Sequence, residues 1–341
     1  MQRLTLGVCL LLAACNSTPD NEMKRIGNVE KLDPSLDAII RQDAQAEIIA
    51  DGFDWSEGPV WIQEHNMLLF SDIPPNKIYK WTEEKGLELY LTPSGYTGSV
   101  QRGGEVGSNG LLIDYDGKLV LCQHGDRRLA YMNAPLMSPA PDFVTIADNY
   151  QGKKLNSPND AVYRRSNGDL FFTDPPYGLE KNMQDPLKEI PFQGVYKVSP
   201  QGEVTLLVDS ISRPNGIAFT PDEKQLIVAS SDPSKAAWYV YDVLENDSLV
   251  SAGILYDATD AVKTGKGLPD GLKIDRQGNI FATGPGGVWI FNKDHKLLGK
   301  FKVPEACSNI ALSPDEGTLY ITNDMNVLRL KLVDKGKMMK K

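Results

Sequence analysis

An all-β fold, a six-bladed β-propeller with four-stranded blades, is what this sequence predicts, and three observations carry the prediction. One segment recurs six times: a polar residue, a small residue, an apolar strand, a turn rich in Asp, Asn or Gly, then a second apolar strand. The copies start about fifty residues apart, the last interval being shorter, which leaves room for two more short strands each time. No convincing long amphipathic helix interrupts the pattern.

The first copy is EGPVWIQEHNMLLFSD from Glu57, followed by NGLLIDYDGKLVLCQ from Asn109 and NDAVYRRSNGDLFFTD from Asn159. NGIAFTPDEKQLIVAS from Asn215, DGLKIDRQGNIFATG from Asp270 and SNIALSPDEGTLYITN from Ser308 complete the set. Third strands are expected at 77–81, 128–132, 194–198, 238–243 and 287–291. Fourth strands are expected at 87–91, 142–146, 203–208, 253–256 and 297–303. These stretches are rich in β-branched and aromatic residues and are bounded by turn formers. The sixth copy continues into one more strand, 326–332, and lacks its outermost one. Residues 45–50, ahead of the first copy, form a strand without a blade, so this N-terminal strand closes the last blade and hides two exposed edges.

The N-terminus reads differently. Residues 1–14 resemble a secretory signal, with Arg3 ahead of an apolar stretch too short to span a bilayer. The stretch ends Leu12-Ala13-Ala14-Cys15, which resembles the lipobox of bacterial lipoproteins, with Cys15 as the lipidated first residue of the mature chain. Residues 15–43 then read as the lipidated Cys and a polar tether, and 44–341 as one propeller domain. The expectation is a cell-envelope protein held to the membrane through lipid alone, on the outer membrane or periplasmic face of a Gram-negative cell.

Composition narrows the partners. The 341 residues are 41% hydrophobic and 24% charged, an ordinary globular balance. Lys plus Arg number 36 against 45 Asp plus Glu, a net charge of −9, which argues against nucleic acid as a partner. Three His and four Cys nearly exclude a Cys/His zinc scaffold. With Cys9 in the signal and Cys15 lipidated, Cys122 and Cys307 remain, and they read as buried free thiols rather than a disulfide. A closed ring leaves little exposed edge, so a monomer is expected. The basic C-terminal KGKMMKK reads as a frayed tail.

In a propeller the first strand of each blade lines a central channel, so Glu57, Asn109, Asn159, Asn215, Asp270 and Ser308 converge near one mouth of it. All six carry a side-chain oxygen, and none is Lys, Arg, His or Cys. Closely set carboxylates need a proton or a cation between them. Carboxylates with amide oxygens suit one hard divalent cation, calcium first, with magnesium or manganese behind it and zinc as a borderline alternative.

These residues resemble the gluconolactonase and senescence-marker-protein (regucalcin) family of six-bladed propellers. SEGPVW at 56–61, FSDIPPNKIYKW at 70–81, SPND at 157–160, PNGIAF at 214–219 and LPDGLKID at 268–275 carry the resemblance in order and at blade spacing. It spans about residues 45–333. It implies a metal held by Glu57, Asn215 and Asp270, with Asn159 contacting substrate or metal-bound water, and hydrolysis of a sugar lactone such as glucono-1,5-lactone. LCQHGDRRL at 121–129 resembles a C-E-H-G-R-R run of bacterial gluconolactonases, with Gln123 for the Glu and Asp126 inserted. The animal members' Arg two residues before the substrate Asn is Ser157 here, so their sugar contacts do not transfer; His124 is a candidate substitute contact.

The mechanism expected is metal-assisted hydrolysis, with Asp270 as ligand and general base and with Asn159 and Asn109 donating to substrate hydroxyls. Loops at 96–105 and 175–191 are expected to wall the site, and Tyr177 and Trp55 are candidate platforms for a sugar ring, although core packing suits Trp55 better. Alternatives are an esterase or lactonase acting on a non-sugar substrate, epimerase-like or lyase chemistry on sugars, and a non-catalytic calcium-binding surface propeller. There is no G-x-S-x-G elbow, and three His give little scope for a Ser-His-Asp triad.

Overall fold

Six antiparallel blades, each built on four strands, are arranged around a central channel in the computed structural model, which describes residues 24–334; the sheets of blades five and six each gain a fifth strand from the N-terminal segment. The signal segment, Cys15 and the basic tail at 335–341 lie outside the described residues. Blade one runs Ser56–Ile62, Met67–Asp72, Lys77–Thr82 and Gly86–Leu91 from the channel outward. Blades two to five repeat this order, their inner strands being Ser108–Ile113, Ala161–Tyr163, Pro214–Phe219 and Leu272–Ile274. The third strands expected at 128–132, 194–198 and 287–291 are found at those residues. The fourth strand of blade four is longer than expected, Leu249–Asp257, and carries two register shifts.

Blade six is Asn309–Leu312, Thr318–Asn323 and Asn326–Lys331, closed by Ala46–Asp51 from the other end of the chain. Asn326 pairs with Asp51 and Val327 with Ala50. The closure expected from the orphan strands is therefore present.

The core follows from the period of two along each strand. Alternate side chains of a strand point to opposite faces of its blade, so each face packs against a different neighbour. Leu68 and Phe70 of blade one pack with Ala311, Tyr320 and Val327 of blade six. Met67 and Leu69, one position over, pack with Leu111, Leu119 and Leu121 of blade two. Six hydrophobic clusters result, one at each interface between consecutive blades.

The tether reading of residues 24–43 is corrected. Arg25–Ile26 pairs with the closing strand, and Asn28–Lys31 adds a fifth strand to blade five. A 3₁₀ turn, Pro34–Ala38, follows, with the Asp33 carboxylate accepting the Ser35 N–H as its cap. Leu36, Ile39 and Ile40 are buried over the joint between blades five and six. The segment is folded because that joint leaves apolar surface that these side chains, with Val29 and the partly buried Ile26 and Ala44, cover. Among the described residues no helix is long and apolar enough to cross a membrane.

Candidate active site

Two local devices aim the ring residues into the channel mouth. The first is a register shift in the inner strand at the ring residue: between Glu57 and Val60, between Ser108 and Leu111, and between Pro214 and Ile217. Such bulges bend a strand and redirect a side chain. They hold Glu57, Asn109 and Asn215. The residue after each is glycine for a steric reason. A Cβ on Gly216 would overlap the Asp270 carbonyl oxygen, and one on Gly58, which has φ +52°, would overlap that of Asn109.

The second device is a polar residue ending the second strand of a blade, which ties down the segment leading into that blade's first strand. Asp72 accepts the Asp54 and Trp55 N–H groups ahead of Glu57, at 3.1 and 3.0 Å. Asp174 accepts those of Asn156 and Ser157 ahead of Asn159, both at 2.8 Å. Ser230 donates to the Ser212 carbonyl ahead of Asn215, and Asn323 donates to the Glu305 and Ala306 carbonyls ahead of Ser308. Burial pushes the Asp174 carboxyl up to about 7, against the pull of the two amide N–H groups.

Glu57, Asn109, Asn159, Asn215 and Asp270 line one cavity of about 540 Å³. Four of their oxygens, Oδ1 of Asn109, Asn159, Asn215 and Asp270, are enclosed and have no hydrogen-bond partner. The Asn215 amide is oriented by its neighbour: Nδ2–H donates to Ser231 Oγ at 2.9 Å, and Ser231 Oγ–H donates to the Pro269 carbonyl at 2.7 Å. Glu57 is buried, and its Oε2 accepts the Gly58 N–H at 2.6 Å. Burial, then the charges of Asp160 and Glu105, raise the proton affinity of Glu57. Asp270 is raised well above the carboxylate range by enclosure and by the negative charge of Glu57, Glu105 and Asp160. Two acids that favour bound positive charge, ringed by unpartnered amide oxygens, fit a hard divalent cation. Among the described residues no group of three or more His, Cys, Asp or Glu is arranged to hold a metal ion by itself, so the amide oxygens are essential to any such site.

Other expectations fall out differently. Ser308 is fully buried and does not line the cavity; its hydroxyl donates to the Ser56 carbonyl at 2.6 Å and lies 2.7 Å from Thr322 Oγ1, joining blade six to blade one. His124 is fully buried and is not a cavity residue, so the direct substrate contact expected of it is corrected. Its ring lies behind Glu105, with Nδ1 3.3 Å from Glu105 Oε2. Trp55 stands half-exposed in the cavity wall and belongs to none of the core clusters, against the core-packing expectation. Tyr177, from the 175–191 loop, also lines the cavity.

Among the polar cavity residues, Arg213 and Ser231 are not singled out by the sequence reading, whereas Glu105 ends the 96–105 loop expected to wall the site and Cys307 is one of the two thiols expected to be buried. Arg213 had a usable signal, standing two residues before a ring Asn. Ser231 carried none, since it reaches the cavity from just past the end of a second strand.

The family described as the SMP-30/gluconolactonase/LRE-like region matches residues 55–324. This chain belongs to that family. It is 38% identical over 312 residues to a gluconolactonase of Zymomonas mobilis, covering 90% of this chain and 86% of that protein. A pentonolactonase of Haloferax volcanii is 26% identical over 275 residues, covering 78% of this chain and 80% of the relative. Among solved structures, a gluconolactonase of Xanthomonas campestris superposes with a TM-score of 0.76 at 26% identity, covering 91% of this chain and 97% of that one.

Proposed function

We propose that this family member opens the ring of a sugar lactone, glucono-1,5-lactone or a similar aldonolactone, to the aldonic acid with the help of one divalent cation. It is a lactone hydrolase by kinship, its relatives including a gluconolactonase and a pentonolactonase. The observation that carries the finer reading is the set of unpartnered oxygens facing one cavity beside Glu57.

Glu57, Asn215 and Asp270 would hold the cation, and calcium suits this all-oxygen donor set best. A cation bound there supplies Lewis-acid polarisation of the lactone carbonyl. The chain's own residues do the rest. Asn159 and Asn109 orient the substrate through their amides. Asp270 takes a proton from the attacking water as the water oxygen bonds to the acyl carbon. The bond from the acyl carbon to the ring oxygen then breaks with its electron pair on that oxygen, which receives the proton back from Asp270. Trp55 and Tyr177 offer flat apolar surface to the sugar ring.

A pH-indicator assay on glucono-1,5-lactone tests this, run on the protein as purified, after chelation and after adding back calcium, magnesium, manganese or zinc. Acid release above the spontaneous rate, lost on chelation and in Asp270→Ala, is expected. Acid release equal to the buffer blank under every metal, with the variant still folded, would sink the reading.

The lipobox-like Cys15 and the closed ring further support a lipid-anchored monomer at the cell envelope. Incorporation of labelled fatty acid, abolished by Cys15→Ala, tests the anchor; light scattering on the soluble chain tests the monomer.

A further inference from the structure

Three carboxylates line the cavity, and they are not alike. Glu57 is buried, and Asp270 turns an enclosed oxygen towards the same space. Glu105 instead keeps 39% of its side chain exposed and sits on the loop between blades one and two. It lies near enough to both partners that its charge raises the proton affinity of each. A carboxylate can only accept hydrogen bonds.

Its position is built from behind. The His124 imidazole is fully buried, and neither ring nitrogen has a hydrogen-bond partner. Nδ1 lies 3.3 Å from Glu105 Oε2, in ion-pair range but not aligned for a hydrogen bond. A buried imidazole without partners is costly, so packing alone does not explain it. The backbone fixes the pair: His124 N–H donates to the Gly107 carbonyl at 3.2 Å, and Gly107 N–H donates to the Ile73 carbonyl at 2.9 Å. Gly178 presses on His124 so closely that a Cβ there would crowd the His124 carbonyl, and the 175–191 loop thereby covers the strand end. Glu105 thus lines the cavity with the buried His124 ring behind it, an acceptor for donors that a ligand brings.

We infer that Glu105 is a specificity-determining residue that accepts hydrogen bonds from ring hydroxyls of a polyhydroxylated lactone, and that His124 is the residue that positions it. The inference rests on the lactonase reading and names what that site selects. A site built to accept from hydroxyls discriminates strongly against an analogue lacking them.

The test compares glucono-1,5-lactone with δ-valerolactone, the same ring without hydroxyls, on the full soluble chain loaded with calcium. Glu105→Gln is expected to lower the ratio of kcat/KM values, sugar lactone over valerolactone, by about 10- to 100-fold, the size of one charge-assisted hydrogen bond. The loss falls in KM rather than kcat. His124→Gln shifts the same ratio in the same direction by a smaller factor. Calorimetry with 1,5-anhydroglucitol, which has the hydroxyls but no carbonyl, is expected to show binding to the parent protein that weakens by a similar factor in Glu105→Gln. An unchanged ratio overturns the inference, and so does a fall in calcium affinity matching the fall in activity, which would make Glu105 a ligand. If the parent hydrolyses neither lactone, the lactonase reading fails by itself, and anhydroglucitol binding still decides the role of Glu105: no binding, or equal binding by the variant, overturns it.

Discussion

Asn215 donates its amide N–H to the Ser231 hydroxyl over 2.9 Å, and that bond determines which atom of Asn215 faces the cavity. Because Ser231 spends its own proton on the Pro269 carbonyl, it can only accept from Asn215. The amide oxygen is therefore left towards Asp270 and the other unpartnered oxygens. Ser231→Ala frees the amide to rotate. Cation affinity measured by calorimetry should fall by about 10- to 100-fold, the usual effect of losing a residue that orients a metal ligand. Unchanged affinity would mean that Asn215 is not a ligand or needs no orienting.

Gly216 is expected to be intolerant of any side chain. Gly216→Ala drives a methyl group into the Asp270 backbone carbonyl, and neither inner strand can retreat without disturbing the channel. A stability loss of about 2 kcal/mol or more is expected in chemical denaturation, with weakened cation binding. Gly202→Ala, whose added Cβ meets nothing, is a matched control for space; its φ of +86° adds only local backbone strain.

Leu36 is fully buried over the joint of blades five and six, whereas nearby Leu32 is 53% exposed. Leu36→Ala should cost about 2–5 kcal/mol and Leu32→Ala close to nothing, measured by urea unfolding. Equal, small losses would restore the tether reading of residues 24–43.

Cys122 and Cys307 are buried, unpaired thiols. Burial pushes Cys307 up to about 12 and Cys122 well above its ordinary value. Thiolate is the reactive form, so both should resist a thiol reagent at pH 8 in the folded chain from residue 24 onward. Two thiols should react once it is unfolded. Fast native labelling at Cys307, which lines the cavity, would show that the cavity wall opens.

Asp174 ties down the turn before Asn159, and burial raises it from 3.8 to about 7. Between those values the folded chain holds a proton that the unfolded chain has lost. Its stabilisation is therefore complete below about pH 4 and is lost as pH rises through 7, by no more than about 4 kcal/mol. Urea unfolding at pH 5 and pH 8 should show a larger fall for the parent than for Asp174→Asn. An identical fall in both would assign the pH dependence elsewhere.

Much of the blade architecture is legible in the sequence, for a local reason. Apolar alternation and Asp/Gly turns mark each hairpin wherever it stands in the ring, and two orphan strands imply their own pairing. The folded state of residues 24–43 is not legible because Leu36, Ile39 and Ile40 form one short apolar cluster in an otherwise polar stretch. Nothing local shows that they cover a joint formed by strands more than two hundred residues away.

The sequence by itself determined that six polar residues occur in register, and hence that Glu57, Asn109, Asn159, Asn215 and Asp270 would meet, because equivalent positions of a closed repeat face one axis. Only the tertiary structure decided what each oxygen does. Ser308 turns to the neighbouring blade, His124 retreats behind Glu105, and Ser231 fixes the Asn215 amide, since hydrogen-bond partners and burial are set by contacts between blades. Glu105 itself enters the cavity from an unrepeated loop, where no periodicity could have pointed to it.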